Sequence, residues 1–259
     1  MPQSKKISHK NYNKLSIFIL TKNEEINIKD CIKSAQFADE VIVLDSGSSD
    51  KTKKIAKDLE VPFYNAEWIG GGIQRNKAIQ LCKHEWIFSL DADERITLDL
   101  AKEINIAINS NLNDVYDVPR KSLFISRFMR FSGWWPDRTI RLFRRTSGEF
   151  SNHFAHSEFL TKKNVGHLNN HMIHFSYRSV DDILKKIQYF SSAGALNYIR
   201  KGKNSSLSKA ILHGFWAFIK TYFLRLGFLD GREGFILAFM NAETTYYRYL
   251  KLIFRNRDF

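Results

Sequence analysis

The stretch LSIFILTKNEEINIKDCIKSAQFADEVIVLD (residues 15–45) decides the fold. It begins and ends with short apolar runs, LSIFIL and EVIVLD, that are typical of buried β-strands. Between them, Ile28, Ile32 and Ala35 recur at the spacing of one helix face. A strand, a helix and a second strand in this order predict a βαβ unit with two parallel strands.

The same alternation continues through the first half of the chain. KTKKIAKDL (51–59) predicts a helix that Ser or Asp of the preceding segment caps, and VPFYNA (61–66) is a shorter apolar stretch. GGIQRNKAIQLC (71–82) predicts a glycine turn that opens a helix. WIFSLDADE (86–94) predicts a strand, and TLDLAKEINIAI (97–108) a helix capped by its first threonine. The fold class is therefore α/β, with a mainly parallel sheet flanked by helices.

Three predicted strands end in polar clusters, which are TKNE (21–24), DSG (45–47) and DAD (91–93). A single D-x-D is most simply a polar turn after a strand. Parallel strands, however, place all three clusters at one edge of the sheet, and ligands of such sheets bind beyond the carboxyl ends of the strands. The three clusters together therefore predict a binding site.

The residue types at this edge indicate a nucleotide held through acids and a cation. The patterns G-x-G-x-x-G and G-x-x-x-x-G-K-[ST] are absent, which disfavours dehydrogenases and P-loop enzymes. Asp91 and Asp93 point to the same side of an extended chain, where they could hold Mg²⁺ or Mn²⁺ against a diphosphate. Arg75 and Lys77 are either phosphate partners or ordinary helix surface charges.

Charge is distributed unevenly along the chain. Residues 1–119 carry 16 Lys/Arg and 18 Asp/Glu, whereas residues 120–259 carry 24 and 9, a net charge of +15. The second half therefore predicts a polyanionic partner, which could be nucleic acid, an anionic membrane or a phosphorylated substrate, unless its basic residues are simply solvated. Two cysteines and a polar start without an apolar signal-peptide core predict a cytoplasmic location.

Four blocks in this half resemble the inverting glycosyltransferases of family 2. They are SIFILTKNEEINIKDCIKSA, VIVLDSGSSDKT, GGIQRNKAI and WIFSLDADE, in order over about 80 residues. Such enzymes have a Rossmann-like GT-A fold, bind a nucleoside-diphosphate sugar and use a D-x-D motif with Mg²⁺ or Mn²⁺. The resemblance implies that the donor binds to Thr21, Asn23, Glu24, Asp45, Arg75, Asn76 and Asp91. It also implies that Asp93 ligates the metal, with Asp91 beside it.

The second half narrows the resemblance to one branch of the family. GWWPDRTIRLFRR (133–145), HSE (156–158), HFSYRS (174–179) and FLRLGFLDGREGFILAF (223–239) resemble lipopolysaccharide inner-core β-1,4-glucosyltransferases. Those enzymes transfer glucose from UDP-glucose to a core heptose. The likeness, which runs from about residue 14 to 254, implies a UDP-sugar donor and a saccharide or glycolipid acceptor, with no nucleic-acid partner.

An inverting transfer needs one general base to deprotonate the acceptor hydroxyl. Asp137, which follows a Gly-Trp-Trp-Pro turn where the family usually places its acid, is the first candidate. Glu158 is the second, and either could instead form a structural ion pair. On the acceptor side we expect sugar stacking or phosphate binding by a further set of residues, which are Trp134, Trp135, Arg141 and His156.

The C-terminal third predicts helices. Residues 180–201 predict one helix, and residues 207–229 are strongly apolar but carry charges that a membrane-spanning helix would avoid. They suit an amphipathic helix in the interface of an anionic membrane, on the inner face of the bacterial cytoplasmic membrane, and residues 235–255 continue the pattern. Alternatively, these helices pack on the core or on another subunit.

The predicted domains are a polar tail (1–13), a GT-A domain (14–178) and a membrane-associating helical region (179–259). The GT-A domain would divide into a nucleotide-sugar half (14–119) and an acceptor half (120–178). Two other functions compete with the transferase, namely a nucleic-acid-binding protein and a nucleotidyltransferase. The chain shows no zinc finger, no RNP1-like motif and no basic N-terminal phosphate loop, so the sequence favours the transferase.

Overall fold

The computed structural model describes residues 12–151 and 157–254. It divides the chain into two compact units. The first combines the chain up to Val118 with Ile140–Asn170, and the second combines Pro119–Thr139 with the chain from His171 onward. The domain boundaries predicted from the sequence fall at other points and stay a prediction.

The elements follow one another along the chain in an α/β order. The strands are β1 (Leu15–Thr21), β2 (Glu40–Asp45), β3 (Phe63–Asn65), β4 (Trp86–Asp91), β5 (Glu94–Ile96), β6 (Val115–Phe124), β7 (Arg127–Phe128), β8 (Asp137–Arg144), β9 (Gly148–Phe150), β10 (Phe159–Thr161), β11 (Val165–His167) and β12 (Met172–Tyr177). The helices are α1 (Ile28–Ala35), α2 (Thr52–Asp58), α3 (Gly71–Leu81), α4 (Leu98–Ser110), α5 (Val180–Arg200), α6 (Leu207–Ile219) and α7 (Gly231–Ile253).

The first unit is built on a parallel sheet in the order β3-β2-β1-β4, with β8 antiparallel at the outer side of β4. In β1, Thr21 stands opposite Asp45 of β2, and Leu20 stands opposite Asp91 of β4. The carboxyl ends of these three strands therefore lie at one edge. The prediction of a mixed, mainly parallel sheet flanked by helices is confirmed.

The apolar pattern explains why β1 takes the central position. All of its residues are buried, as expected for a strand that is covered by helices on both faces. Helix α1 covers the sheet with Ile28, Cys31, Ile32 and Ala35, which include the predicted face. On the sheet a core forms from side chains of β1, β2, β4, β8 and the β9–β10 hairpin, among them Phe18, Ile42, Ile87, Phe143, Phe150 and Phe159.

Glycine is required where α3 begins. Gly70 has a φ of +131°, which favours glycine. A Cβ at Gly72 would lie 1.8 Å from the carbonyl oxygen of Ser151. The start of the helix can therefore pack against this segment only without a side chain. The glycine turn predicted from the sequence thus has a packing cause as well as a conformational one.

The second unit packs the C-terminal helices on the rest of β6. Here β12 is parallel to β6 and β7 is antiparallel to it. Phe124 of β6 and Tyr177 of β12 pack with apolar side chains of α5 and α7, namely Ile183, Ile187, Leu237 and Met240. Helix α5 matches the helix predicted over 180–201 to within one residue.

The helix predicted over 207–229 is not continuous. Helix α6 ends at Ile219, a π-helical turn spans Lys220–Leu224, and a 3₁₀ turn spans Gly227–Asp230. The fully buried carboxylate of Asp230 accepts from the backbone N–H groups of Arg130 and Phe131, which fixes the 3₁₀ turn in the second unit. No helix among the described residues is long and apolar enough to cross a membrane.

Candidate active site

The end of β1 carries a buried hydroxyl that has no protein partner. Thr21 is 5% exposed, and its Oγ1 has no hydrogen-bond partner among the described residues. Burying an unbonded hydroxyl costs free energy, so such groups are uncommon in native proteins. The hydroxyl stands across from Asp45 at the sheet edge where the sequence predicts the donor site.

The two loops that follow β1 and β2 are bound to each other. Asn23, with a φ of +55°, accepts from the backbone N–H of Ser49 at 2.8 Å and donates its own N–H to Ser48 Oγ. Glu24 donates its backbone N–H to Thr52 Oγ1 at 2.8 Å, and its Oε2 accepts from Asn27 Nδ2. The resemblance assigns both residues to the binding of the sugar donor. In this structure their hydrogen bonds hold the loops at the strand ends together.

Asp45 has a structural task that the sequence did not reveal. It is 2% exposed, and its Oδ2 accepts from the backbone N–H groups of Gly47 and Ser48 at 2.9 and 2.7 Å. The carboxylate therefore shapes the turn after β2. Its direct contact with a ribose or base stays a prediction.

A cleft of about 580 Å³ opens beside this turn. Its lining residues are Lys22, Ser46, Gly47, Asn65, Ala66, Glu67 and Trp68. Gln74, which is fully buried, donates to Ser46 Oγ, to the Ala66 carbonyl and to the Glu67 carbonyl, and so holds the walls together. Sequence reasoning missed Trp68 and Gln74, because neither belongs to a strand-end cluster.

A second cleft, of about 690 Å³, lies near the amino ends of β1 and β2. Its lining includes Asn13, Lys14 and Asp39, which precede these strands. Ligands of parallel α/β sheets bind at the opposite edge. We therefore assign the site to the carboxyl edge, where the acids and the unbonded hydroxyl of Thr21 are.

Asp91, at the end of β4, is held by two arginines. Nη2 of Arg75 donates to its Oδ1 and Oδ2 at 2.7 and 2.9 Å. Nη2 of Arg141 donates to its Oδ2 at 2.9 Å and to Oε1 of Glu94 at 2.6 Å. Glu94, which the sequence left without a role, also accepts from the backbone N–H of Asp91 at 3.0 Å. The negative charges of these two carboxylates are thus balanced by the positive charges of the two arginines.

Arg141, for which the sequence predicts binding of an acceptor or a phosphate, lies among buried acids, and that role stays a prediction. Its side chain is 4% exposed, and its partner Glu94 is fully buried. Burial opposes the charge, but Glu94 and Asp91 outweigh it and raise the pKa of Arg141 above its ordinary value. A buried guanidinium needs such anions, which is why Arg141 turns inward to the acids.

Asp93 and Arg95 follow on the same turn. Nη1 of Arg95 donates to the carbonyl oxygens of Ala92 and Glu94, and its Nη2 donates to the carbonyl of Asn27, so the turn is bound to the start of α1. Asp93 is half-buried. The part of the chain that the structure describes has no group of three or more acidic, His or Cys side chains that could enclose a metal ion.

Asn76 binds the protein backbone in this structure. Its Nδ2 donates to the carbonyl of Phe150, and its Oδ1 accepts from the N–H of the same residue, both at 2.9 Å. This clamp joins α3 to β9. The contact with a nucleotide implied by the family resemblance stays a prediction, and the observed partners of both amide groups give Asn76 a structural role.

Glu158 lies in the same unit as the donor residues. It is exposed, and its backbone pairs with Ser151. The preceding residue, Ser157, accepts from Nη1 of Arg75 at 3.3 Å, so Glu158 is one residue from a contact of the donor site. His156 lies outside the described residues.

The remaining predicted residues belong to the second unit. Asp137 accepts at Oδ2 from Nε of Arg120 at 2.9 Å and from Nη2 of the same guanidinium. Trp135 is exposed and meets His171 edge-to-face at 5.9 Å, whereas Trp134 packs against Phe124 and Tyr177. Trp134 therefore contributes to the core, and of these two tryptophans Trp135 has the accessible ring.

The profile of glycosyl transferase family 2 matches residues 16–178, more than half of the chain. The chain belongs to this family. It is therefore a glycosyltransferase, which decides against the nucleic-acid-binding and nucleotidyltransferase alternatives as its primary function.

Relatives agree with this assignment, and a solved structure is similar in fold. An uncharacterized glycosyltransferase of Rickettsia bellii (strain RML369-C) is 32% identical over 254 residues, covering 92% of this chain and 86% of that protein. The lipopolysaccharide core biosynthesis glycosyltransferase LpsC of Rhizobium meliloti (strain 1021) is 27% identical, covering 91% and 93%. The crystal structure of S. aureus TarS 1–349 in complex with UDP is similar in fold, with a TM-score of 0.50 at 15% identity, covering 90% of this chain and 91% of that one.

The roles of Asn76 can be separated by measurement. We expect Asn76→Ala to lower the free energy of unfolding by about 1–3 kcal/mol, because the N–H and the carbonyl of Phe150 lose their partner. Affinity for UDP, measured by calorimetry well below the unfolding temperature, should change less than about twofold. A tenfold loss of affinity with unchanged stability would instead show that Asn76 binds the ligand.

Proposed function

We propose that this glycosyltransferase is metal-dependent and inverting, and that it transfers a sugar from a UDP-sugar, with UDP-glucose as the leading donor, to a lipopolysaccharide inner-core acceptor. The observation that carries the proposal is the arrangement at the carboxyl edge, where Asp91 pairs with Arg75 and is followed by Asp93. A guanidinium suits a diphosphate, and a carboxylate suits a hard cation. The similarity to LpsC, whose name refers to lipopolysaccharide core biosynthesis, supports this acceptor class.

The carboxylates of the D-x-D turn fit Mg²⁺ or Mn²⁺ at one position. Asp93 places a carboxylate at the second acidic position of the D-x-D turn, which the family resemblance assigns to the metal, and Asp91 lies beside it. Asp93 would therefore be the principal protein ligand and Asp91 an auxiliary one. When bound, the cation would neutralise charge on the leaving diphosphate. Arg75 would add a second positive charge at the same phosphates.

A panel of nucleotide-sugars tests the donor proposal. UDP-glucose should raise the unfolding temperature more than ADP-, GDP- or CMP-sugars, and the effect should grow with Mn²⁺. Asp93→Asn should remove the Mn²⁺-dependent part of the shift and reduce transfer at least about a hundredfold, because the diphosphate would lose its counter-ion. Asp58→Asn, the same change at an exposed position at the end of α2, is the matched control. Unchanged Mn²⁺ dependence in Asp93→Asn would refute the metal assignment.

The transfer also needs a base for the acceptor. In the proposed reaction a carboxylate takes the proton from the acceptor hydroxyl, and the oxygen of that hydroxyl forms a bond to C1 of the donor sugar. The bond from C1 to the diphosphate breaks at the opposite face, and the electron pair leaves with the diphosphate. Asp137 remains the first candidate, since its carboxylate is held in position by Arg120 and its side chain is 37% exposed.

Two isosteric variants distinguish the candidate bases. Asp137→Asn should lower kcat about a thousandfold or more and leave the affinity for UDP unchanged, because only the proton acceptor is lost. Glu158→Gln should retain most of the turnover. The reverse pattern, with Asp137→Asn active and Glu158→Gln inactive, would assign the base to Glu158.

A glycolipid acceptor requires access to a membrane surface, and we propose that the second unit provides it. Helix α6 packs on α7 through Ala210 and Gly214, and it exposes a broad apolar face. The exposed residues of that face are Leu207, Ile211, Leu212, Phe215 and Trp216. At 100° per residue, Lys209, His213 and Lys220 fall along one flank of the face. An apolar face with a basic flank is typical of helices that lie in the interface of an anionic bilayer.

The apolar surface continues beyond α6. The rings of Phe218 and Tyr222 stack at 5.4 Å, and both meet Phe235 of α7 edge-to-face at 5.7 Å. Around them, Phe223, Leu224, Phe228 and Phe239 are exposed. The chain has an excess of 15 positive charges over residues 120–259. Charge and apolar area therefore both favour an anionic lipid surface as the occupant.

Vesicle binding tests the membrane proposal. The protein should float with vesicles that contain phosphatidylglycerol and less well with purely zwitterionic ones. Leu212→Ser combined with Phe215→Ser should weaken partitioning about tenfold or more, because two apolar side chains no longer enter the bilayer. Leu98→Ser with Ile106→Ser, which removes two exposed apolar residues of α4, should have little effect. An equal loss of vesicle partitioning in both double variants would contradict the proposal. So would a protein that does not float and whose apolar face is covered by a second copy of the chain.

A further inference from the structure

The two arginines that bind Asp91 have different freedom to move. Arg141 belongs to β8, is 4% exposed and is ion-paired with the fully buried Glu94 at 2.6 Å. Arg75 belongs to α3, and its side chain is 15% exposed. Its other contacts are with uncharged groups, namely Ser157 Oγ at 3.3 Å, the Gly71 carbonyl at 3.4 Å and the ring of Phe150, whose centroid is 5.5 Å away. The guanidinium of Arg75 can therefore leave with little loss.

Arg141 cannot leave Asp91 without a large cost. Moving it would strip Glu94 of its counter-charge in the interior, and removing one partner of a buried pair is strongly destabilising. Glu94 fixes Asp91 a second time, because its Oε2 accepts from the backbone N–H of Asp91 at 3.0 Å. Glu94 and Arg141 thus hold both the carboxylate and the backbone of Asp91.

We infer that Arg75 is an exchangeable partner of Asp91 and that Glu94 and Arg141 are positioning residues. In the ligand-free protein Arg75 neutralises Asp91. When a nucleoside diphosphate binds, Arg75 transfers to the phosphate oxygens, and Asp91 keeps its charge and its position because Arg141 stays. The inference rests on the proposed function only for the chemical class of the ligand, a nucleoside diphosphate.

One consequence is that Asp91 competes with the ligand for Arg75. Removing the charge of Asp91 should therefore release Arg75 and strengthen the binding of a diphosphate, even though the carboxylate lies in the site. A simple reduction of negative charge near the phosphates would also strengthen binding. The two causes differ in one respect, since only competition requires Arg75.

A double-mutant cycle with UDP in metal-free buffer separates these causes. We expect Asp91→Asn to raise the affinity for UDP about fivefold in calorimetry, and the same change to have less than about a twofold effect in an Arg75→Gln background. Asp93→Asn, which removes a nearby charge that has no role in the exchange, should act equally in both backgrounds. An equal gain from Asp91→Asn in both backgrounds, or a loss of affinity, would overturn the inference.

The positioning role is tested by kinetics. Arg141→Lys keeps the charge but cannot reach Asp91 and Glu94 together with the same geometry. It should lower kcat at least about tenfold while the affinity for UDP changes less than twofold, since Arg75 still binds the phosphates. If Arg141→Lys folds poorly, Glu94→Gln, a smaller change, replaces it as the test. It should likewise lower kcat and leave the affinity for UDP nearly unchanged.

Activity per folded molecule equal to wild type in both variants would reduce Glu94 and Arg141 to structural residues and refute this part. Failure of the wild-type protein to bind any nucleoside diphosphate would refute the proposed function itself, and with it the inference.

Discussion

The structure depends on the pairing of β1 with parallel strands on both sides. This pairing sets Thr21 opposite Asp45 and Leu20 opposite Asp91. Because successive side chains of a strand point to opposite faces, a shift of one residue would exchange the side chains that β1 packs on its two covered faces and would change which residues of the three strand ends are paired. The close packing of β1 on both faces opposes that shift. Every polar group of the site is placed by this register, either directly or through the loops that begin there.

The site is a place where charge is buried and balanced. Antiparallel pairing of β8 with β4 sets Phe88 opposite Leu142, and this brings Arg141 to the end of β4. Its positive charge allows two acids, Asp91 and Glu94, to stay close together in a poorly hydrated region. A network of this kind adds little to stability compared with an apolar core, but it fixes the geometry of its members. The rigid and the mobile parts of the site then follow from burial, with Arg141 inside and Arg75 near the surface.

The sequence predicted the elements and the edge of the sheet because those signals are local. Neighbours within a few residues determine these features, which are the strand ends, the helix face of Ile28 and Ile32, and the glycine turn before α3. The partners of Arg141 and Asn76 could not be predicted, since Glu94 and Phe150 are 47 and 74 residues away in the chain. The break after Ile219 was missed for the same reason. A periodic apolar pattern does not show that the buried Asp230 binds the backbone of Arg130 and Phe131, which belong to another segment.

Unsatisfied buried groups show where the protein structure is incomplete by itself. Within residues 12–151 and 157–254, five buried side-chain atoms have no hydrogen-bond partner, and they belong to Thr21, Gln74, Trp86, Arg141 and Arg248. Thr21, Gln74 and Arg141 contact or adjoin the carboxyl edge of the sheet. Since nearly all buried polar groups in native proteins are hydrogen-bonded, a concentration of three at one edge requires a local cause. A ligand or ordered water at this edge supplies one, and it is the edge where the acids and the exchangeable arginine also lie.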